Sequence, residues 1–215
     1  MQTESPLPES KLQVWLYDNW HRALAHGAGL FTLVWLALDY ASLEDIFTFN
    51  RTVMLRTGSA GLMLLVAYFA CTPVGRLFGW QRPTQIRRAL GLYGFLYAVV
   101  HVWNYAVWEN GMDMALIARD LEERQAMSVG LLALLALIPL AATSTRGWQR
   151  RLGRRWRTLH RLVYVAVPLS VLHTFWLDRD IITVPLVYAA IVGILLALRL
   201  PALRHAVRRF ITGRR

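Results

Sequence analysis

Residues 89–108 read ALGLYGFLYAVVHVWNYAVW, twenty positions without a charge and with one histidine, His101. A helix needs about 20 predominantly apolar residues to cross roughly 30 Å of hydrocarbon. The run therefore fits a membrane crossing and raises a question, because an ionisable ring inside a bilayer needs a partner. Five further uncharged runs accompany it, at 23–38, 57–75, 125–145, 162–177 and 181–198. The two shortest, 23–38 and 162–177, can gain a turn where Arg22 and Arg161 snorkel to the interface. One such run would suit a buried helix of a soluble domain. Six at regular spacing predict an all-α membrane protein, a six-helix transmembrane bundle. Across the 215 residues 56% are hydrophobic and only 17% charged, too few charges for a soluble globule of this size.

A formal charge of +11 raises the possibility of nucleic-acid binding, so the placement of the charges decides. With the six runs as alternating crossings, segments 1–22, 76–88, 146–161 and 199–215 hold 19 of the 24 basic residues. The opposite set holds only Arg51, Arg56, Arg119, Arg124 and Arg179, together with ten of the thirteen acids. Basic loops stay on the cytoplasmic side, so both termini are expected in the cytoplasm. The cluster Arg146, Arg150, Arg151, Arg154, Arg155, Arg157 and Arg161 then reads as a topology anchor facing lipid headgroups. No aromatic-basic module accompanies it, so no nucleic-acid partner is expected. The lipid bilayer is the expected surrounding.

Helices are expected over about 13–39, 51–77, 84–108, 125–145, 154–177 and 183–200. The second should end near Thr72-Pro73 and the sixth at Pro201, since proline interrupts the helical ladder; Thr84 suits the N-cap of the third. Between the third and fourth, Met114, Ile117 and Leu121 have helical spacing, as in a segment lying flat on the membrane surface. No internal repeat stands out. Residues 1–10 are polar and precede no cleavage site, so the first span is expected to stay in the protein. The domain plan is a cytoplasmic tail at 1–12, one transmembrane domain at 13–201 and a basic cytoplasmic tail at 202–215.

Of six histidines, two fall at matching depths. His101 lies 13 residues beyond Arg88 and His173 lies 12 beyond Arg161, on helices that rise from the same side. Two imidazoles facing each other at one depth are what a six-coordinate haem iron requires, and such ligation favours electron transfer over oxygen binding. For this pair, ligation outweighs the plainer role of a helix–helix hydrogen-bonding group. His160 stands 13 residues before His173, roughly 20 Å along the same helix, which suits an inner redox centre. On an ideal helix the two would point about 140° apart, and Pro168 between them offers a kink. Set between Arg157 and Arg161, His160 also reads as an interfacial histidine, and both readings stay open. His26 is the first partner for His160 and His21 the second, with Gly27 and Gly29 leaving room for a macrocycle; a structural His26 is an equal alternative. His21 and His205 otherwise read as headgroup-facing. Tryptophans and tyrosines form interfacial belts first, and Trp103, Tyr105 and Trp176 fall close enough to the outer site to neighbour a haem. Arg56 suits an outer haem propionate, and Arg87 and Arg88 an inner one, although each also suits a headgroup phosphate.

The ordered pieces Thr143-Ser144-Thr145-Arg146-Gly147-Trp148, Leu152-Gly153-Arg154-Arg155-Trp156 and Leu159-His160-Arg161-Leu162-Val163-Tyr164, with His173 following, resemble the MsrQ (YedZ) family. Arg56-Thr57-Gly58, Thr72-Pro73 and Arg87-Arg88-Ala89-Leu90-Gly91-Leu92 support it, and the match covers about 20–200. That family is part of the ferric-reductase-like transmembrane group. The resemblance implies haem b, one or two per chain, with His101, His160 and His173 as the haem histidines. It further implies electrons passing from a cytosolic flavin reductase, a flavin or a quinol to a periplasmic molybdopterin-dependent methionine sulfoxide reductase. FMN is an implied cofactor, and loops 82–88 and 146–157 are the natural place for its phosphate.

Several classes are excluded. Cys71 is the single cysteine, so no internal disulfide, thiolate cluster or covalent haem motif can form. No GxGxxG occurs, so the chain is not a self-contained NADPH oxidase. It is expected to be an electron-transfer subunit rather than the subunit that reduces methionine sulfoxide. Two alternatives stand beside this: a haem-containing transmembrane metalloreductase or cytochrome b subunit of another periplasmic oxidoreductase, and a haem-free transporter or assembly protein using histidines for protons or metals.

Overall fold

In a computed structural model, residues 11–42, 46–177, 182–201, 203 and 207 are described. The tails at 1–10 and most of 202–215, with His205, lie outside the described residues. The helices are α1 (Lys11–Ser42), α2 (Ile46–Phe78), α3 (Arg82–Asn104), α4 (Met114–Glu123), α5 (Gln125–Ala142), α6 (Arg146–Leu152), α7 (Arg154–Leu159), α8 (Val163–Leu177) and α9 (Thr183–Ala197). A π-turn, Tyr105–Glu109, prolongs α3, and a 3-10 turn, His160–Leu162, joins α7 to α8. No strand occurs among the described residues.

Among the described residues, four stretches are long and apolar enough to cross a membrane as single helices: Asn19–Ala41, Thr48–Phe78, Arg82–Glu109 and Gln125–Ala142. The fifth and sixth expected crossings are shorter as α-helices, because α8 and α9 have 15 residues each. The 3-10 turn and α7 prolong α8 on its N-terminal side.

The packing is inverted relative to a soluble domain. Leu24, Phe31, Val34, Leu38, Leu135 and Ile194 are exposed, as suits a lipid-facing surface. Helix α2 lies along α3, α5 along α8, and α1 and α9 flank these pairs. Leu65, Phe69, Leu137, Val163, Val167 and Val192 form one core where α2, α5, α8 and α9 converge. A second, of Ala25, Leu64, Leu90 and Tyr97, joins α1, α2 and α3. The α2–α3 approach depends on Gly94, where a Cβ would fall 2.9 Å from Leu65, a small-residue contact typical of membrane helices.

Four expectations need correction. Helix α2 continues through Pro73 to Phe78. Proline lacks the N–H that would bond the carbonyl four residues back, here Phe69, and Arg199 supplies the missing donor. Its Nη2 donates to Phe69 O at 2.6 Å and its Nη1 to the Tyr164 hydroxyl at 2.6 Å. The N-cap of α3 is Gln81, with Pro83 in the first turn; the Thr84 hydroxyl instead donates back to Gln81 O. Residues 146–152 are helical, capped by Thr145, and α9 closes at Ala197, before Pro201. The surface segment behaves as its spacing suggests: α4 is capped by Asp113, which accepts from Ala115 and Leu116 N–H groups.

Candidate functional site

His101 on α3 and His173 on α8 meet inside the bundle with ring centres 6.2 Å apart and ring planes at 84°. Each ring is held from behind in the same manner. The Nδ1 of His101 donates to the carbonyl of Met54 at 3.0 Å, and that of His173 to the carbonyl of Ala126 at 2.7 Å. A carbonyl can only accept, so Nδ1 carries the proton and the Nε2 lone pair is left for a metal. With a metal bonded to one nitrogen of each ring at about 2.0–2.1 Å, the ring centres would stand roughly 6 Å apart. The pair therefore fits an iron with two axial imidazoles. No group of three or more His, Cys, Asp or Glu able to hold a bare ion occurs among the described residues. Two facing imidazoles suit instead a metal whose other ligands arrive with a macrocycle.

Arg56 sits on α2 close to Met54. Its Nη2 pairs with Asp39 at 2.8 Å, and its guanidinium lies 4.1 Å from the centre of the Trp35 ring. Its Nη1 is buried without a hydrogen-bond partner. An unpaired buried donor is costly, and an acidic group at the edge of a bound cofactor would satisfy it.

The second region surrounds His160, at the start of the 3-10 turn. There a cavity of about 220 Å³ is lined by His160, Trp156, Arg87, Arg88, Gln149 and Tyr68 among others. Trp156 stacks on His160 with ring centres 4.0 Å apart and donates from Nε1 to Thr143 O at 2.9 Å. Arg87 donates to the Thr72 and Tyr68 hydroxyls. The single proton of the Thr143 hydroxyl goes to Pro139 O at 2.6 Å, so in its 3.0 Å contact with His160 Nε2 Thr143 accepts. His160 therefore carries its proton on Nε2 and its lone pair on Nδ1.

The structure thus brings His101 to His173, and Arg87 and Arg88 to His160. It does not bring His26 there: His26 is exposed on α1, with Nδ1 hydrogen-bonded to the Tyr93 hydroxyl at 3.0 Å, and is absent from the cavity lining. His21, expected among headgroups, is buried and bonded through Nε2 to Gln85 Oε1 at 2.7 Å. Gln85 reaches it from the first turn of α3, a packing relation that linear spacing does not carry. Trp103 and Trp176 are exposed, and the Tyr105 hydroxyl donates to Asp120 at 2.7 Å. The helix carrying His173 is interrupted at His160 by the 3-10 turn, ahead of Pro168 inside α8.

Sequence reasoning did not find the Met54 and Ala126 carbonyls, Thr143 or Trp156 as site residues. Backbone acceptors leave no side-chain signature. Thr143 and Trp156 were visible only as parts of the ordered motif.

Residues 57–171 match the family described as ferric reductase like transmembrane component. The protein-methionine-sulfoxide reductase heme-binding subunit MsrQ of Rhodospirillum rubrum is 40% identical over 202 residues, covering 92% of this chain and 94% of that protein. No solved structure matches the chain.

Proposed function

The chain belongs to the MsrQ family within the ferric-reductase-like transmembrane group, and from that premise we propose that it is a haem b electron-transfer membrane subunit. It takes electrons from a cytoplasmic-side donor, a flavin reductase with its flavin or a quinol, and delivers them to a periplasmic molybdopterin-dependent methionine sulfoxide reductase. Sulfoxide reduction takes place in that partner, where the oxidised thioether is restored. Charge placement supports six crossings of a bacterial inner membrane with both termini cytoplasmic.

The observation that carries this reading is the His101–His173 pair, 6.2 Å between ring centres, with both Nδ1 atoms tied to backbone carbonyls. In it, His101 and His173 would hold the iron of the outer haem, and Arg56 would take a propionate through its unpaired Nη1. His160, with Arg87 and Arg88, forms the inner centre, where a second haem or an FMN would be held. When bound, haem supplies a one-electron ferric–ferrous couple. The residues do the rest. The two carbonyl bonds fix tautomer and ring orientation, so little rearrangement accompanies a change of charge at the metal.

The decisive experiment is the dithionite-reduced minus oxidised spectrum of the purified full-length protein. A b-type signal is expected. Its absence in protein produced with adequate haem supply would sink the reading.

A further inference from the structure

Both axial-ligand candidates are held by one device, used twice. The carbonyl that accepts from His101 belongs to Met54, and Gly58 follows it by four residues on α2. The carbonyl that accepts from His173 belongs to Ala126, and Gly130 follows it by four residues on α5. Each histidine lies 47 residues beyond its acceptor. Positions four apart share one face of a helix, so each glycine stands directly beside the carbonyl in use. A helical carbonyl already accepts from its own ladder, and its second lone pair is open only to a donor that can approach past the neighbouring side chain. At these two positions there is no side chain to pass. A Cβ at Gly58 would lie 3.1 Å from Cε1 and Nδ1 of His101. One at Gly130 would lie 2.7 Å from Nδ1 of His173 and 2.9 Å from its Cε1.

We infer that Gly58 and Gly130 are positioning residues for the two imidazoles: each is a notch that admits a ring edge to a backbone carbonyl, and so sets the angle and donor strength of the ring toward the metal. This rests on His101 and His173 being the axial pair. A hydrogen bond from Nδ1 to a carbonyl raises the basicity of Nε2, which favours the ferric over the ferrous state. A methyl group in the notch strikes the atom that makes this bond, so it weakens the bond and turns the ring. The potential of the centre then rises. The contact at Gly130 is the tighter, so the effect is larger there.

The test uses the full chain in detergent, comparing wild type with Gly58→Ala, Gly130→Ala and Gly61→Ala. Gly61 is the control on the same helix as Gly58, because a Cβ there meets only ordinary contacts at 3.4 Å from Gly94 O and Tyr97. Optical redox titration and low-temperature electron paramagnetic resonance of the ferric protein are read together. The midpoint potential of the outer centre should rise in Gly130→Ala, rise less in Gly58→Ala and stay unchanged in Gly61→Ala. The low-spin ferric signal expected for imidazole planes near 84° should change in the first two only. A Gly130→Ala protein with wild-type potential and signal overturns the inference, as does a Gly61→Ala shift of equal size. If Gly130→Ala does not accumulate, Gly58→Ala decides by the same two readouts, since a ring shift of a few tenths of an ångström accommodates its methyl. His101→Ala, run in parallel, separates the layers: if it leaves the haem in place, the axial assignment has failed, not the role of the glycines.

Discussion

The outer and inner histidine regions are built on opposite plans. At the outer pair, two rings from different helices face one another and each leans on a backbone carbonyl. The inner histidine faces a cavity of about 220 Å³, leans on a side-chain hydroxyl and stacks on an indole. Tautomers follow. The outer rings present Nε2, whereas His160 presents Nδ1 unless the Thr143 hydroxyl turns away. A carbonyl is fixed by the helix that owns it, but a threonine hydroxyl can rotate. The outer site is thus set for one ligand geometry, while the inner site can adjust to what enters the cavity. Arginines mark the same contrast, with one near the outer pair and Arg87 and Arg88 both lining the inner cavity.

The largest expected effect breaks the comparison outright. His101→Ala and His173→Ala should each abolish the same haem, seen as loss of one low-spin component in the reduced-minus-oxidised spectrum. Removal of two different haems by the two variants would mean that the rings do not share a metal. Next, His160→Ala should leave that component intact and alter only the inner centre; loss of the outer signal would erase the distinction between the regions. Arg56→Gln should retain the outer haem and lower its potential, by less than Gly130→Ala raises it, because it removes a positive charge that disfavours the ferric state rather than moving an axial ligand. The smallest effect sharpens the contrast. Thr143→Val releases His160 Nε2 at a stability cost of about 1 kcal/mol, measurable by thermal unfolding, with the outer spectrum unchanged.

Much of this was legible before any coordinates. The uncharged runs located helices, four of which are long and apolar enough to cross a membrane, and the distance of His101 and His173 from flanking charges brought the two to a like position on their helices. Rotation about the helix axis was harder to read. The helix is interrupted at His160 by a 3-10 turn, which no proline or glycine announces. His21 looked like an interfacial residue because its partner, Gln85, is 64 positions away. Gly58 and Gly130 stood in plain view, yet an isolated glycine in an apolar helix signals close approach without naming what approaches. Pro73 was the clearest misdirection. The rule that proline stops a helix assumes that the freed carbonyl stays unsatisfied, and here Arg199 satisfies it from 130 residues downstream.

That bond also gives the chain an order of completion. While the nascent protein has only its first five hydrophobic segments, the Phe69 carbonyl opened by Pro73 has no donor of its own, and a bilayer offers no water in exchange. The last apolar segment brings one, since Arg199 follows α9 and reaches Phe69 and Tyr164 together. A chain interrupted ahead of this residue would retain an open seam in helix two beside the His160 cavity, whose wall includes Tyr68. The arginine thus acts as a closing latch, fastened from beyond α9 to a gap in α2.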